Sequence, residues 1–310
     1  MRFSPGVLIF GLLCSGPAFA QDMSLRDVLI DGEGWRQVAE GYKFTEGPAV
    51  DARGQVFFTD VPNSRIYKVD LDDKVSLFAE NTANTNGLMF GPDGLLYGCQ
   101  NGNKRIVTFD TEGRSTTIAE NVNSNDLVVA GDGGVYFTDP GHKQVWYLSP
   151  KREEKPRVVA QGFVPNGIIL WPDGRTLVVT DSTEPSLWTF RVEPDGNLSA
   201  RDRYYGPISL APRQVRPGSD GMTVDSAGRL YVATLAGLQV FDPTGRSVGA
   251  ILRPQRQFLS NAVFGGPEFD TLYVTCFDKV YKRKTKCTGI RYGTPSKTAA
   301  TAKPANPEKP

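Results

Sequence analysis

Glu46-Gly47-Pro48-Ala49-Val50, a turn from Asp51 to Gly54, and then Val56-Phe57-Phe58-Thr59-Asp60 make up the stretch that decides the fold, because its pattern recurs along the chain. An oxygen-bearing side chain opens each copy, at Glu46, Asn86, Asn125, Asn166, Asp220 and Asn261. In the first five copies a turn glycine stands eight positions later, at Gly54, Gly94, Gly133, Gly174 and Gly228, and a β-rich run follows. These glycines lie 40, 39, 41 and then 54 residues apart, so the unit is about forty residues long, with an insertion near Arg201 to Pro217. Such a period, with several short strands per unit, points to propeller blades.

Each unit reads as four strands, in the first copy Gly47 to Asp51, Gln55 to Thr59, Arg65 to Val69 and Val75 to Ala79, joined by Asp, Gly, Asn and Pro turns. One four-stranded sheet cannot bury both its faces alone, and no linker interrupts the repeat, so separate small domains are excluded. The prediction is an all-β, six-bladed β-propeller over residues 21–291 with four-stranded blades around a central metal-binding channel. Trp35 to Glu40 precedes the first inner strand and is expected to be the outer strand of the last blade.

Residues 1–20 combine Arg2, an apolar run from Gly6 to Cys14 and the small-residue segment Ala18-Phe19-Ala20, the layout of a cleaved signal peptide. The apolar run is too short to span a bilayer. The mature chain is therefore expected to be exported, periplasmic or extracellular, without stable membrane insertion. Residues 292–310, rich in Thr, Pro, Ser, Lys and Ala, read as a disordered tail. The 35 basic and 34 acidic residues give a net charge of +1, which offers no basic field for nucleic acid. Beyond the signal, Cys99, Cys276 and Cys287 are an odd set in a chain large enough to bury a core, and free thiols are expected.

Propeller blades are arranged radially with their first strands nearest the axis, so the six opening residues should ring one point in the channel. Two carboxylates and four amide carbonyls are hard oxygen donors without sulfur or imidazole. They suit Ca²⁺ or Mg²⁺ and argue against zinc, with calcium favoured by a large, flexible ring. Glutamate has no turn preference, so Glu46 in this register is the member that turn formation explains least. The second strand of each blade returns to the same face, which places Asp60, Gln100, Asp139, Asp181 and Thr234 at the mouth. The one histidine, His142, lies in such a loop and is a candidate substrate contact that titrates near neutral pH.

Glu46-Gly-Pro-Ala-Val, Asn125-Asp-Leu, Pro165-Asn166-Gly-Ile and Ser219-Asp220-Gly-Met, in this order and in register with the blades, resemble the senescence-marker-protein/gluconolactonase family of propellers. The resemblance covers roughly Trp35 to Lys284. It implies a channel that binds a divalent cation, usually calcium, through Glu46, Asn166 and Asp220, with Asn125 at a position that ligates metal or contacts substrate. It also implies a small-molecule lactone as substrate and its hydrolysis by metal-assisted water attack, with Asp220 as the base or as the group that orients the water. No Gly-x-Ser-x-Gly elbow competes, and Cys99 has no base within its own blade.

Many sugar lactonases of that family carry an arginine two residues before the Asn-Asp of blade three, where this chain has Asn123. Tyr204, Tyr205, Arg213 and Arg216 of the insertion are candidates to replace that contact. Two other readings stay open: a phosphotriesterase-like hydrolase using the same cage, and a binding module with a structural calcium, since a propeller fold does not determine function.

Overall fold

A computed structural model describes residues 24–291; the expected signal peptide and tail lie outside the described residues. Six four-stranded antiparallel sheets follow one another in chain order. In the first blade the strands are Thr45–Val50, Val56–Asp60, Arg65–Val69 and Val75–Glu80. The sixth takes Leu259–Gly265, Thr271–Cys276 and Lys279–Lys284 from the end of the chain and Arg36–Glu40 from its start. Arg36 faces Lys282 and Glu40 faces Lys279 in this closing pair, as the unpartnered N-terminal segment predicts. Strand pairing, with its row of backbone hydrogen bonds, therefore holds the ring shut. The exposed Glu40–Lys279 and Arg36–Asp73 ion pairs beside it add little.

The reason for the forty-residue repeat is visible in the packing. Each blade presents alternating apolar residues to both neighbours, and six buried layers result, one per seam. Phe57, Ile66, Leu88 and Leu96 fill the seam between blades one and two. Val56 and Phe58 pack against Tyr273 and Val280 across the closing seam. No helix among the described residues is long and apolar enough to cross a membrane.

At the end of the propeller reached by the inner strands, each hairpin turns on the predicted glycine, and Gly54, Gly94, Gly133, Gly174 and Gly228 all have positive φ between 67° and 90°. The sixth blade shows what stands in for it. Phe269, eight residues after Asn261, takes φ 57° and closes the same turn through its N–H to the Gly266 carbonyl. Its ring is buried, which compensates the left-handed backbone.

The outer strand of blade four runs to Asp202, so the insertion starts two residues later than its sequence suggests. It then descends between blades four and five. Tyr204 Oη donates to the Pro243 carbonyl, Gly206 N–H to the Gly245 carbonyl, and Tyr205 packs on Trp171 and Phe241. Both tyrosines thus cement a seam toward the turn end, and the expectation that they replace a contact at the mouth is corrected.

Candidate functional site

The second strands end at Asp60, Gln100, Asp139, Asp181 and Thr234, on the end opposite the glycine turns. The inner strands start there. Glu46 pairs with Thr59 and Asn261 with Thr275, equivalent registers of blades one and six. The six opening residues are stitched into a ring by one hydrogen bond per neighbouring pair of blades. Thr59 Oγ1 donates to Asn86 O, Gly87 N to Asn125 O, and Thr138 Oγ1 to Asn166 O. Ser182 Oγ then donates to Ser219 O, Gly221 N to Ser260 O, and Ser260 Oγ to Thr45 O, which closes the circle.

Why glycine follows these residues is steric. A Cβ at Gly87 would stand 2.2 Å from Asp126 Oδ1, one at Gly167 2.2 Å from Asp220 O, and one at Gly221 1.8 Å from Asn261 Cγ. In this second position four blades have glycine, one has Ala262 and blade three has Asp126, whose side chain takes the space beside Gly87. Sequence reading placed Asn125 in the ring and passed over Asp126.

Glu46 and Asp220 are 6% and 7% exposed, and no cationic side chain among the described residues pairs with either. Burial pushes both carboxyls up, and Asp126 adds repulsion to each. Glu46 adds repulsion and its hydrogen bonding with Asp220 pushes the Asp220 carboxyl further up, while the same contact pulls Glu46 down. Burial likewise pushes Asp126 up to about 7, against a hydrogen bond from the Leu127 N–H that favours its charged form. Asn261 mediates between them. Its Oδ1 accepts the Ala262 N–H, and its amide serves Glu46 and Asp126.

Two further ring atoms are orphaned: Asn86 Oδ1 and Asn166 Oδ1 are buried without a hydrogen-bond partner among the described residues. An unpaired buried carbonyl costs about 1–3 kcal/mol unless something else supplies positive charge. Carboxylates pushed toward neutrality and amide oxygens without donors together fit a hard divalent cation. No three His, Cys, Asp or Glu side chains among the described residues form a metal cluster by themselves, so asparagine oxygens are a required part of any such site. Glu46, Asn166 and Asp220 are the residues that would hold the ion, and Asn86, which the sequence placed in the column, has the same orphaned oxygen.

His142 stands at the rim, its side chain 60% exposed. Buried Asp139 holds it twice, accepting from the His142 N–H at 3.0 Å and lying 2.8 Å from Nδ1. Asn123 Nδ2 is 3.1 Å from the same nitrogen, so the position expected to carry an arginine in sugar lactonases instead borders the histidine. Asp60 and Asp181 support loops, accepting from Lys43 and Phe44 N–H groups and from Thr183, Glu184 and Trp188. Cys99, Cys276 and Cys287 are free and buried.

A larger cleft of about 510 Å³, lined by Phe57, Phe78, Phe90 and Phe109, opens between blades one and two near the Gly54 and Gly94 turns. It holds none of the ring residues. The convergence of carboxylates, not cleft size, marks the candidate site.

Fold and site together define a six-bladed propeller with an oxygen-lined axial centre. Residues 44–278 match the model of the SMP-30/Gluconolactonase/LRE-like region, and the chain belongs to that family. It is 28% identical over 297 residues to a gluconolactonase of Zymomonas mobilis, covering 81% of each chain. To the lactonase drp35 of Staphylococcus haemolyticus it is 28% identical over 246 residues, covering 73% of this chain and 75% of the other. A solved structure described as a gluconolactonase from Xanthomonas campestris superposes with a TM-score of 0.74 at 25% identity, over 84% of this chain and 92% of that one.

Proposed function

We propose that this protein is a calcium-dependent lactonase that opens a small lactone at the axial ring, with Glu46, Asn166 and Asp220 holding the ion. The observation that carries the reading is the buried set of Glu46, Asp126 and Asp220 with no cationic partner among the described residues, beside the orphaned Asn166 Oδ1. The names of the gluconolactonase and lactonase relatives support the same substrate class.

A bound calcium ion supplies Lewis-acid polarisation of an ester carbonyl and charge for the oxyanion. The chain's residues do the rest. Asn125, pinned through its main chain to Thr138 and Gly87, presents an amide at the mouth for the lactone's oxygens. Asp220 takes a proton as the water oxygen bonds to the carbonyl carbon, and returns it to the ring oxygen when that C–O bond breaks, releasing a hydroxy acid. Asp126 and Glu46 keep the position of Asp220 by repulsion and hydrogen bonding. Asp139 fixes His142 at the rim as a second contact for substrate.

Acid release from a panel of lactones, followed at constant pH with calcium, with chelator and in Asp220→Asn, tests the proposal. Turnover lost under both treatments is expected. Inert lactones with calcium bound would overturn it. On the same reading residues 1–20 are removed on export, so the mature N-terminus should be found near Gln21 in the secreted fraction; an intact Met1 in the cytoplasm would contradict that.

A further inference from the structure

Three phenylalanines from separate segments meet at the mouth end, on the segments that lead into Glu46 and Asn261 and in the turn beside them. Phe44 lies two residues before Glu46, Phe258 three before Asn261, and Phe277 in the turn after the second strand of blade six. Their rings meet, Phe44 stacked on Phe258 with centroids 6.3 Å apart and edge-on to Phe277 at 6.0 Å. Phe277 is 38% exposed and the other two partly so.

Backbone conformation shows that this ring is held where it is at a cost. Cys276 pairs with Lys279, so Phe277 and Asp278 form a two-residue hairpin turn. Phe277 takes φ 55°, at the first turn position, where glycine is the unstrained residue. Connections at the same end of other blades use Ser64, Lys104 and Lys143 at positive φ. A bulky aromatic there is an outlier, and a strained residue beside a site is grounds for a functional hypothesis. Fold closure does not need the ring. Thr45 N and Oγ1 both donate to the Phe277 carbonyl, a bond that any residue would supply.

We infer that Phe44, Phe258 and Phe277 form an apolar subsite, and that the preferred substrate is a lactone bearing an alkyl or aryl substituent rather than one clothed in hydroxyls. This deepens the proposed lactonase reading and rests on it. Aromatic walls of this kind gain from burying hydrocarbon and gain nothing from hydroxyls that lose water.

Two six-membered lactones that differ in their substituents provide the test: δ-decalactone, with a pentyl chain, and glucono-δ-lactone. In Phe277→Gly the ratio of kcat/KM for δ-decalactone over glucono-δ-lactone should fall about tenfold, carried by KM, while Tm holds or rises as the left-handed strain is relieved. Phe258→Ala should shift the ratio in the same direction. An unchanged ratio, or a ratio unchanged with a lowered Tm, would show that the rings only seal the seam between blades six and one, and overturns the inference. Failure of the parent reading is distinguishable, because the wild type would then open neither lactone. In that case calorimetric titration of δ-decalactone decides the subsite: binding weakened in Phe277→Gly upholds it, and absent or equal binding overturns it.

Discussion

The axial ring and the glycine-turn end of the propeller are built from the same hairpins, yet they treat buried carboxylates in opposite ways. At the glycine-turn end, Asp225 is wholly buried and fully served: Arg229 Nη1 at 3.0 Å, Tyr231 Oη at 2.9 Å, and the N–H groups of Ala227 and Arg229. In the ring, Glu46, Asp126 and Asp220 are buried with no cationic side chain among the described residues paired to them, and the asparagine oxygens beside them lack donors. The Asp225 carboxylate is satisfied within the chain, with only Arg229 Nε beside it left without a partner among the described residues; the ring carboxylates have no such cationic partner. Buried acceptors left without donors beside buried carboxylates, a combination confined to the ring among the described residues, are the groups that call for a functional explanation.

Exchanging charge for amide at each end separates the two. Asp220→Asn should lower lactone turnover about 10³-fold or more while the protein still folds, checked by initial rates and circular dichroism. Asp225→Asn should do the reverse, costing about 3 kcal/mol by stranding Arg229, with kcat retained in the folded fraction. Equal losses of stability in both variants would break the contrast.

A smaller effect follows from pH. Asp126 titrates near 4 when unfolded and about 7 when folded, so between those values the folded protein binds more protons than the unfolded. In chelator the stability contributed by this group is therefore present at low pH and lost as pH rises from about 4 to 7. Chemical denaturation of wild type and Asp126→Asn at pH 4.5 and 7.5 should show the wild type losing ground to the variant at the higher pH, and calcium should restore it. A pH-independent difference would mean that the Asp126 carboxyl is already charged in the folded, metal-free protein.

The smallest contrast is between two glycines. Gly87→Ala drives a methyl into Asp126 and should cost about 1–3 kcal/mol together with activity. Gly94→Ala meets no atom within 4 Å and pays only for φ 78°, roughly 1–2 kcal/mol, with kcat unchanged. Urea midpoints and initial rates of the two variants distinguish clash at the site from strain at the turn.

Much of this architecture is legible in the sequence because it rests on local patterns. Turn glycines, alternating apolar runs and the leftover segment at Trp35 to Glu40 each encode a blade or its closure. The ring residues are legible for the same reason, since one register repeats six times. Asp126 was less so. Its signal is a departure from the pattern: Gly47, Gly87, Gly167, Gly221 and Ala262 stand at the equivalent position, and Asp126, which takes the space beside Gly87, is the one large side chain in that column. Tyr204 and Tyr205 misled because nearness to Asp220 in sequence does not reveal that the chain dives between blades before returning. Phe44, Phe258 and Phe277 could not be grouped at all, as their meeting depends on joining the first blade to the last.

The central claim is that the mouth ring is a cation site completed by the carboxylates of Glu46 and Asp220. Calcium titration calorimetry on chelator-stripped protein tests it most directly. One ion per chain, released by Asp220→Asn and Glu46→Gln and kept by Asp225→Asn in its folded fraction, is the result predicted. Calcium that fails to bind, or binds equally well to all four proteins, would contradict it.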